Sequence, residues 1–110
     1  MIITEINIPD INENPFVISP IVLNNRTYYF EYRWNVRDNS AYLSIYYLSN
    51  NSKIYLLRNS KLIVGNIISK HINDLENWDG LLSLWNYDEL TMENYSQANL
   101  STDYFLKFVI

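Results

Sequence analysis

Cysteine is absent from the sequence, and histidine occurs only once, as His71. Without cysteine the chain can form no disulfide framework, no thiolate metal site and no thiol nucleophile. One histidine supports neither a two-histidine metal centre nor a convincing Ser-His-Asp triad, so we interpret His71 as an ordinary surface or loop residue. We therefore expect no metal and no other cofactor.

Glycine and proline are also rare, at 2 and 3 residues in a chain of 110. Because Gly65 and Gly80 lie far apart, the chain cannot form a Gly-rich phosphate loop or a nucleophile elbow. Its turns must use mainly Asn, Asp and Ser, which tolerate the left-handed backbone region or form side-chain turns. The Asn pairs at 24–25 and 50–51 fit that role. Since these catalytic motifs are missing, we expect no enzymatic activity.

Excess positive charge and long apolar runs are lacking as well. The formal net charge of −4 disfavours a surface that binds duplex nucleic acid by neutralising phosphates, so nucleic acid is not an expected partner. No apolar run approaches the roughly 18 residues that indicate a membrane-spanning helix. The first residues show no basic segment before an apolar run, as a signal peptide would. We expect synthesis in the cytoplasm and no membrane association.

Aromatic residues, by contrast, make up 15% of the chain, and hydrophobic residues make up 48%. This composition is typical of a packed globule rather than of a disordered chain. The clearest pattern is an aromatic residue at every second position from 28 to 34: Tyr28, Phe30, Tyr32 and Trp34. Since side chains alternate across a β-strand, this aromatic row predicts a strand with one apolar face. A polar break at 37–40 and a second run at 41–47 complete a β-hairpin.

The two faces of this hairpin carry different predictions. We expect the aromatic row to fill the core. The opposite face is a candidate protein interface, because tyrosine and arginine are enriched at interfaces. Its candidate residues are Tyr29, Glu31, Arg33, Tyr42 and Tyr46. We expect the three tyrosines and Arg33 to be exposed, either as an interface or as ordinary partly exposed residues.

Two binding functions compete with a protein interface. Carbohydrate binding is the main alternative, and it requires at least two rings of the aromatic row to be exposed and coplanar. Binding of single-stranded nucleic acid by an OB-like barrel would need a basic groove, which the net charge disfavours.

Further strands are predicted at 2–8, 16–23, 81–87 and 103–110, where apolar residues alternate or cluster between turn signals. Pro20 cannot donate to a β-ladder, so it indicates an edge strand, a bulge or a corner. The apolar runs 53–57 and 61–65 are consistent with either a tight reversal or one bulged strand. Residues 88–102 read as a long polar loop with Tyr95 and Leu100 as anchors.

These elements predict an all-β fold. We expect one domain over residues 1–110, a compact antiparallel barrel or sandwich of about seven or eight short strands. At most a short helical turn is expected near 67–76, because the isoleucines there fit a helical stripe but are poor helix formers.

Carboxylates gather in two polar stretches of the chain: Asp74, Glu76 and Asp79, and then Asp88, Glu89 and Glu93. Such groups could in principle supply a glycosidase pair or the oxygen ligands of a hard cation. Neither stretch has EF-hand spacing, and both contain turn-forming residues. We interpret them as solvated loops.

The order of these elements resembles the phage baseplate plug family, also described as the cyanophage baseplate assembly plug-like domain. After an N-terminal strand, the resemblance rests on the hairpin from Tyr28 to Tyr47, on the segments 61–65 and 79–82, and on Leu100 followed by 103–108. It spans nearly the entire chain and depends on the order and spacing of the strands more than on any single motif.

The resemblance implies a non-enzymatic structural component of a phage tail baseplate or a related contractile particle. Such a protein acts in baseplate assembly through protein-protein contacts, so the implied partners are other baseplate or tail proteins, with self-association included. The implied location is the virion tail baseplate after synthesis in the host cytoplasm. No catalytic residues carry over from the family.

Overall fold

The computed structural model describes residues 1–74, 76–88 and 93–110. These residues form seven strands: β1 (Ile3–Asn7), β2 (Phe16–Leu23), β3 (Arg26–Asn35), β4 (Ser40–Ser49), β5 (Ser52–Lys61), β6 (Leu81–Asn86) and β7 (Tyr104–Val109). A 3-10 turn at Ile68–His71 and a short helix, α1, at Leu100–Asp103 accompany them. The fold is all-β, as the alternating sequence pattern predicts.

The strands form two antiparallel sheets. One is a four-stranded meander in which β2, β3, β4 and β5 lie side by side in chain order. The other is three-stranded, with β7 between β1 and β6. Among the described residues no named strand of one sheet pairs with a strand of the other, so the architecture is a sandwich and not a closed barrel.

The core lies between the sheets and contains the aromatic row of β3. Tyr28, Phe30, Tyr32 and Trp34 are 4%, 0%, 0% and 8% exposed, which confirms that this side of the strand faces inward. Leucines of the three-stranded sheet, Leu82, Leu84 and Leu106, are fully buried against them in the same cluster. Burial of several large rings and leucines is the main favourable term that holds the two sheets together.

Trp78 closes one end of the sandwich. Its ring is 3% exposed and makes edge contacts with Tyr28 at 5.1 Å and with Phe108 at 5.3 Å between ring centroids. One of these partners lies on each sheet, so the turn around Trp78 ties the sheets to each other. The Tyr28 hydroxyl also donates to the Asn77 carbonyl at 2.5 Å.

Asparagine makes the turns that glycine usually makes. Both residues of the two-residue connections 24–25 and 50–51 have positive φ, between 51° and 63°. Two consecutive left-handed residues define the type I′ turn, whose twist matches the flanking strands of a hairpin. The prediction that the Asn pairs turn the chain is confirmed.

Pro20 lies in β2, which is an edge strand of the four-stranded sheet. In a two-residue hairpin the closing pair, here Leu23 and Arg26, exchanges hydrogen bonds, and the pairs then alternate. The pairing of Pro20 with Tyr29 is therefore a non-hydrogen-bonded one, and the proline nitrogen faces the free edge. The sheet thus offers no donor to another strand at this point of its edge.

The run 53–57 belongs to one bulged strand that ends at Lys61, so the chain makes no tight reversal at 58–60. β5 runs continuously from Ser52 to Lys61, and its register against β4 shifts between Leu43 and Tyr46. A bulge adds a residue to one strand and changes which side chains share a face. The chain then leaves the sheet and forms isolated bridges beside β6, through Val64 and Ile67.

The polar segment before β7 is anchored by Tyr95 and Leu100, which are 4% and 0% exposed. The Tyr95 hydroxyl accepts a hydrogen bond from the Ala41 amide at 2.9 Å and donates one to the Leu62 carbonyl at 2.7 Å. Helix α1 lies in this segment, which the sequence pattern predicts as loop. Its four residues are too few to produce a periodic signal in the sequence.

No helix in the described ranges has the length and apolar character needed to cross a membrane.

Candidate protein-interaction face

The solvent-facing side of the four-stranded sheet contains the predicted interface residues, and we call it the outer face. Cross-strand pairing aligns its side chains in rows, since directly paired residues point to the same side. In one row Tyr29 pairs with Tyr46, and Tyr46 pairs with Tyr55; in another Arg33 pairs with Tyr42, and Tyr42 pairs with Lys61. The main residues of the outer face are Phe16, Ile18, Val22, Tyr29, Glu31, Arg33, Tyr42, Tyr46, Lys53, Tyr55, Arg58 and Lys61.

The tyrosine row consists of three rings in contact, of which two are stacked. Tyr29 and Tyr46 are nearly parallel, with centroids 5.1 Å apart and an interplanar angle of 12°. Tyr55 lies on the other side of Tyr46 at 5.3 Å and 54°. Such cross-strand aromatic pairs stabilise a sheet by about 0.5–1 kcal/mol each and hold their rings in fixed positions.

The expectation that Tyr46 is exposed is wrong. Its ring is 5% exposed because Tyr29 and Tyr55 flank it and the Lys53 ammonium lies over it, 4.8 Å from the centroid. Tyr46 therefore supports the rings beside it, while Tyr29 is half-buried and Arg33 is exposed.

Glu31 is the acidic residue beside the tyrosine row. It accepts a hydrogen bond from the Tyr55 hydroxyl at 2.9 Å and lies 3.8 Å from the Lys53 ammonium, with its own side chain 13% exposed. The hydrogen bond to the carboxylate favours the protonated hydroxyl and raises the pKa of Tyr55. Glu31 is thus neutralised within the face rather than free to bind a partner's cation.

A second polar cluster surrounds Tyr42. The Tyr42 hydroxyl donates to the Asp38 carboxylate, and this bond raises the pKa of Tyr42. Lys61 lies 3.9 Å from the same carboxylate. On the other side the Arg33 guanidinium lies over the Tyr42 ring at 5.9 Å from its centroid. Both Glu31, on the outer face, and Asp38, at its border, therefore have a lysine partner.

The sequence-based prediction missed the contribution of β5. Lys53 and Tyr55 reach the outer face in the regular register that follows the turn at 50–51, whereas Arg58 lies beyond the bulge. The Arg58 guanidinium lies 4.2 Å from the centre of the Tyr55 ring. The basic and aromatic character of 53–58 is visible in the sequence, but the bulge hides which face the residues after Tyr55 take.

The edge strand β2 adds an apolar margin. Phe16, Ile18 and Val22 are 48%, 41% and 68% exposed, and they lie beside Arg33, Glu31 and Thr27 in the β2–β3 register. The outer face therefore changes from apolar at β2, through aromatic at its centre, to cationic at β5.

Among the described residues, the exposed aromatic platform that the carbohydrate alternative needs is not formed. All four rings of the aromatic row are buried, which removes the exposed platform that carbohydrate binding on that row requires. Asp74 and Asp79 bind side chains or backbone of neighbouring turns, through Asn77 at 2.8 Å and Asn24 at 3.3 Å. Glu89 lies outside the described residues. Within the described ranges no group of three or more His, Asp or Glu side chains could hold a metal ion.

The chain matches the model of a known protein family. The family model described as "Cyanophage baseplate Pam3 plug gp18" matches residues 3–109. No curated protein matches the chain significantly. Because the family match includes every described strand and nearly the whole sequence, the chain belongs to the cyanophage baseplate plug family.

Proposed function

We propose that the protein is a non-enzymatic structural component of a phage tail baseplate and acts in baseplate assembly through contacts made by its outer face. Membership of the baseplate plug family over residues 3–109 is the observation that carries this proposal. The family's description as a baseplate plug supports a structural role in the virion tail.

The arrangement of the outer face supports a docking role. Tyrosine and arginine dominate the energetic centres of protein interfaces, because they combine large contact area with directed polar groups. Here the Tyr29–Tyr46 stack and the Arg33–Tyr42 contact already hold these side chains in place. Pre-ordered side chains lose less conformational entropy on binding, so more of their contact energy contributes to affinity.

The proposed partners are other baseplate or tail proteins, with a second copy of the chain included. Docking through the outer face is favoured over strand addition at β2, because Pro20 interrupts the donors of that edge. The protein is made in the host cytoplasm and is incorporated into the virion baseplate. Its candidate contact residues are Tyr29, Glu31, Arg33 and Tyr42, with Tyr46 beneath them.

Complementation of a phage that lacks the gene tests this proposal. Wild-type protein should appear in purified particles by quantitative mass spectrometry and should fractionate with isolated baseplates. The Tyr29→Ala, Arg33→Ala double variant should lower incorporation by about 100-fold, as expected when two central interface side chains are truncated.

The matched control is Arg37→Ala, which removes an exposed arginine in the turn beyond β3. It should leave incorporation unchanged, and circular dichroism should show the wild-type fold for all variants. Absence of the wild-type protein from purified particles would contradict the proposed function.

A further inference from the structure

The charges of the protein are divided unevenly between the outer face and the rest of the chain. Of the 8 basic and 12 acidic residues, the outer face and its border hold four basic ones and two acidic ones. That leaves a formal charge of +2 on this face and −6 on the remainder of the chain. The basic residues are Arg33, Lys53, Arg58 and Lys61.

The two lysines and the two arginines of this face differ in their partners. Lys53 is paired with Glu31 at 3.8 Å, and Lys61 is paired with Asp38 at 3.9 Å. Arg33 and Arg58 form no ion pair within the described ranges, and both are exposed. The free positive charge of the outer face is therefore carried by its two arginines.

Both arginines lie against tyrosine rings. The Arg33 guanidinium is 5.9 Å from the centre of the Tyr42 ring, and the Arg58 guanidinium is 4.2 Å from the centre of the Tyr55 ring. Attraction to the ring restrains the guanidinium, more strongly at Arg58 than at the more distant Arg33, and the N–H donors of both are left available. A restrained guanidinium with free donors suits bidentate binding of a carboxylate.

We infer that the outer face docks onto an acidic protein surface, in which carboxylates bind Arg33 and Arg58 while an apolar strip covers Phe16, Ile18 and Val22. This inference rests on the proposed function and names the chemistry of the partner. The apolar margin along β2 favours a protein partner over nucleic acid, since a phosphate backbone has no apolar strip to cover exposed isoleucine and valine.

Charge substitutions separate this docking mode from a merely apolar contact. In the complemented phage, the Arg33→Gln, Arg58→Gln double variant should lose incorporation by about 100-fold, because each carboxylate is left buried without a counter-charge. The Arg33→Lys, Arg58→Lys variant should recover part of it, since lysine keeps the charge but not the bidentate geometry. The matched control, Arg37→Gln with Lys70→Gln, makes the same net charge change at arginine and lysine residues outside the proposed contact and should incorporate normally.

Arginine footprinting measures the same contact without substitution. Phenylglyoxal should modify Arg33 and Arg58 readily in the free protein and at least about fivefold more slowly in intact particles, whereas Arg37 should react alike in both.

Three results would overturn the inference. If the double Gln variant incorporates normally while Tyr29→Ala, Arg33→Ala does not, the face docks by other chemistry and the proposed function stands. If nuclease treatment releases the protein from isolated baseplates, the partner is nucleic acid. If wild-type particles lack the protein, the proposed function fails as well.

Discussion

The buried hydroxyl of Tyr95 joins three segments that are distant in sequence, and its removal should destabilise the fold. In Tyr95→Phe the ring keeps its edge contacts with Trp34 and Tyr104, both at 6.0 Å between centroids. The change removes the hydrogen bonds at 2.9 Å from the Ala41 amide and at 2.7 Å to the Leu62 carbonyl. It therefore isolates the effect of the hydroxyl from that of the ring.

The expected magnitude follows from the groups left without a partner. A buried donor or acceptor that loses its hydrogen bond costs about 1–3 kcal/mol. Tyr95→Phe leaves one donor, the Ala41 amide, and one acceptor, the Leu62 carbonyl, without this bond. Allowing for partial relaxation, we expect a loss of about 2–4 kcal/mol, a large part of the roughly 5–15 kcal/mol that stabilises a typical domain. The midpoint of thermal unfolding should fall by about 10 °C.

Tyr32→Phe is the matched control because Tyr32 is also a buried tyrosine of the core. Its hydroxyl has no hydrogen-bond partner among the described residues, and its side chain is 0% exposed. Removing this hydroxyl breaks no bond and relieves the cost of keeping a polar group away from water. We expect stability to stay equal or to rise by up to about 1 kcal/mol.

Urea denaturation of the two variants and the wild type, followed by tryptophan fluorescence, measures both effects. Equal slopes against urea concentration would show that the variants unfold from equally compact states, so the midpoints compare directly. The reasoning is refuted if Tyr95→Phe costs less than about 1 kcal/mol, or if the two substitutions have the same effect.

Two further predictions concern alkaline pH and Gly80. Burial raises the pKa of Tyr32 above its ordinary value of 10.0, so above pH 10 this tyrosine ionises in the unfolded chain but not in the folded one, and the fold loses stability as pH rises. Urea denaturation at pH values from 9 to 11 should show that the free energy of unfolding falls by about 1.4 kcal/mol less per pH unit above 10 in Tyr32→Phe than in the wild type. An equal dependence on pH in the two proteins would contradict the buried position of Tyr32. Gly80→Ala should cost about 3 kcal/mol in the same assay, because φ is +146° and a Cβ would lie 2.4 Å from Phe108 Cε1; a neutral result would show that the turn can shift.

The parts of the fold that the sequence predicts are those that produce a pattern among neighbouring residues. The aromatic row from Tyr28 to Trp34 identifies its own strand and its buried face, since side-chain alternation depends on neighbouring residues alone. The Asn pairs at 24–25 and 50–51 likewise mark their turns through their tolerance of positive φ. The order of such signals also suffices to suggest the family that the match over 3–109 confirms.

The candidate site is less predictable because it depends on pairing between strands. Tyr29, Glu31, Arg33 and Tyr42 lie on the outer face as the alternation predicts. The role of Tyr46 could not be read from alternation, because its burial comes from side chains on β3 and β5. The register between paired strands determines which side chains lie next to each other, and the sequence of one strand alone does not.

The sequence by itself determined the hairpin, the inward aromatic row, the asparagine turns and the all-β class, because each follows from interactions within a few residues. Only the tertiary structure decided that the sheets form a sandwich and that α1 interrupts the last loop. It also decided that β5 continues through a bulge, beyond which Arg58 lies against Tyr55 on the predicted face. These features depend on contacts between residues far apart in the chain, and a local pattern does not record them.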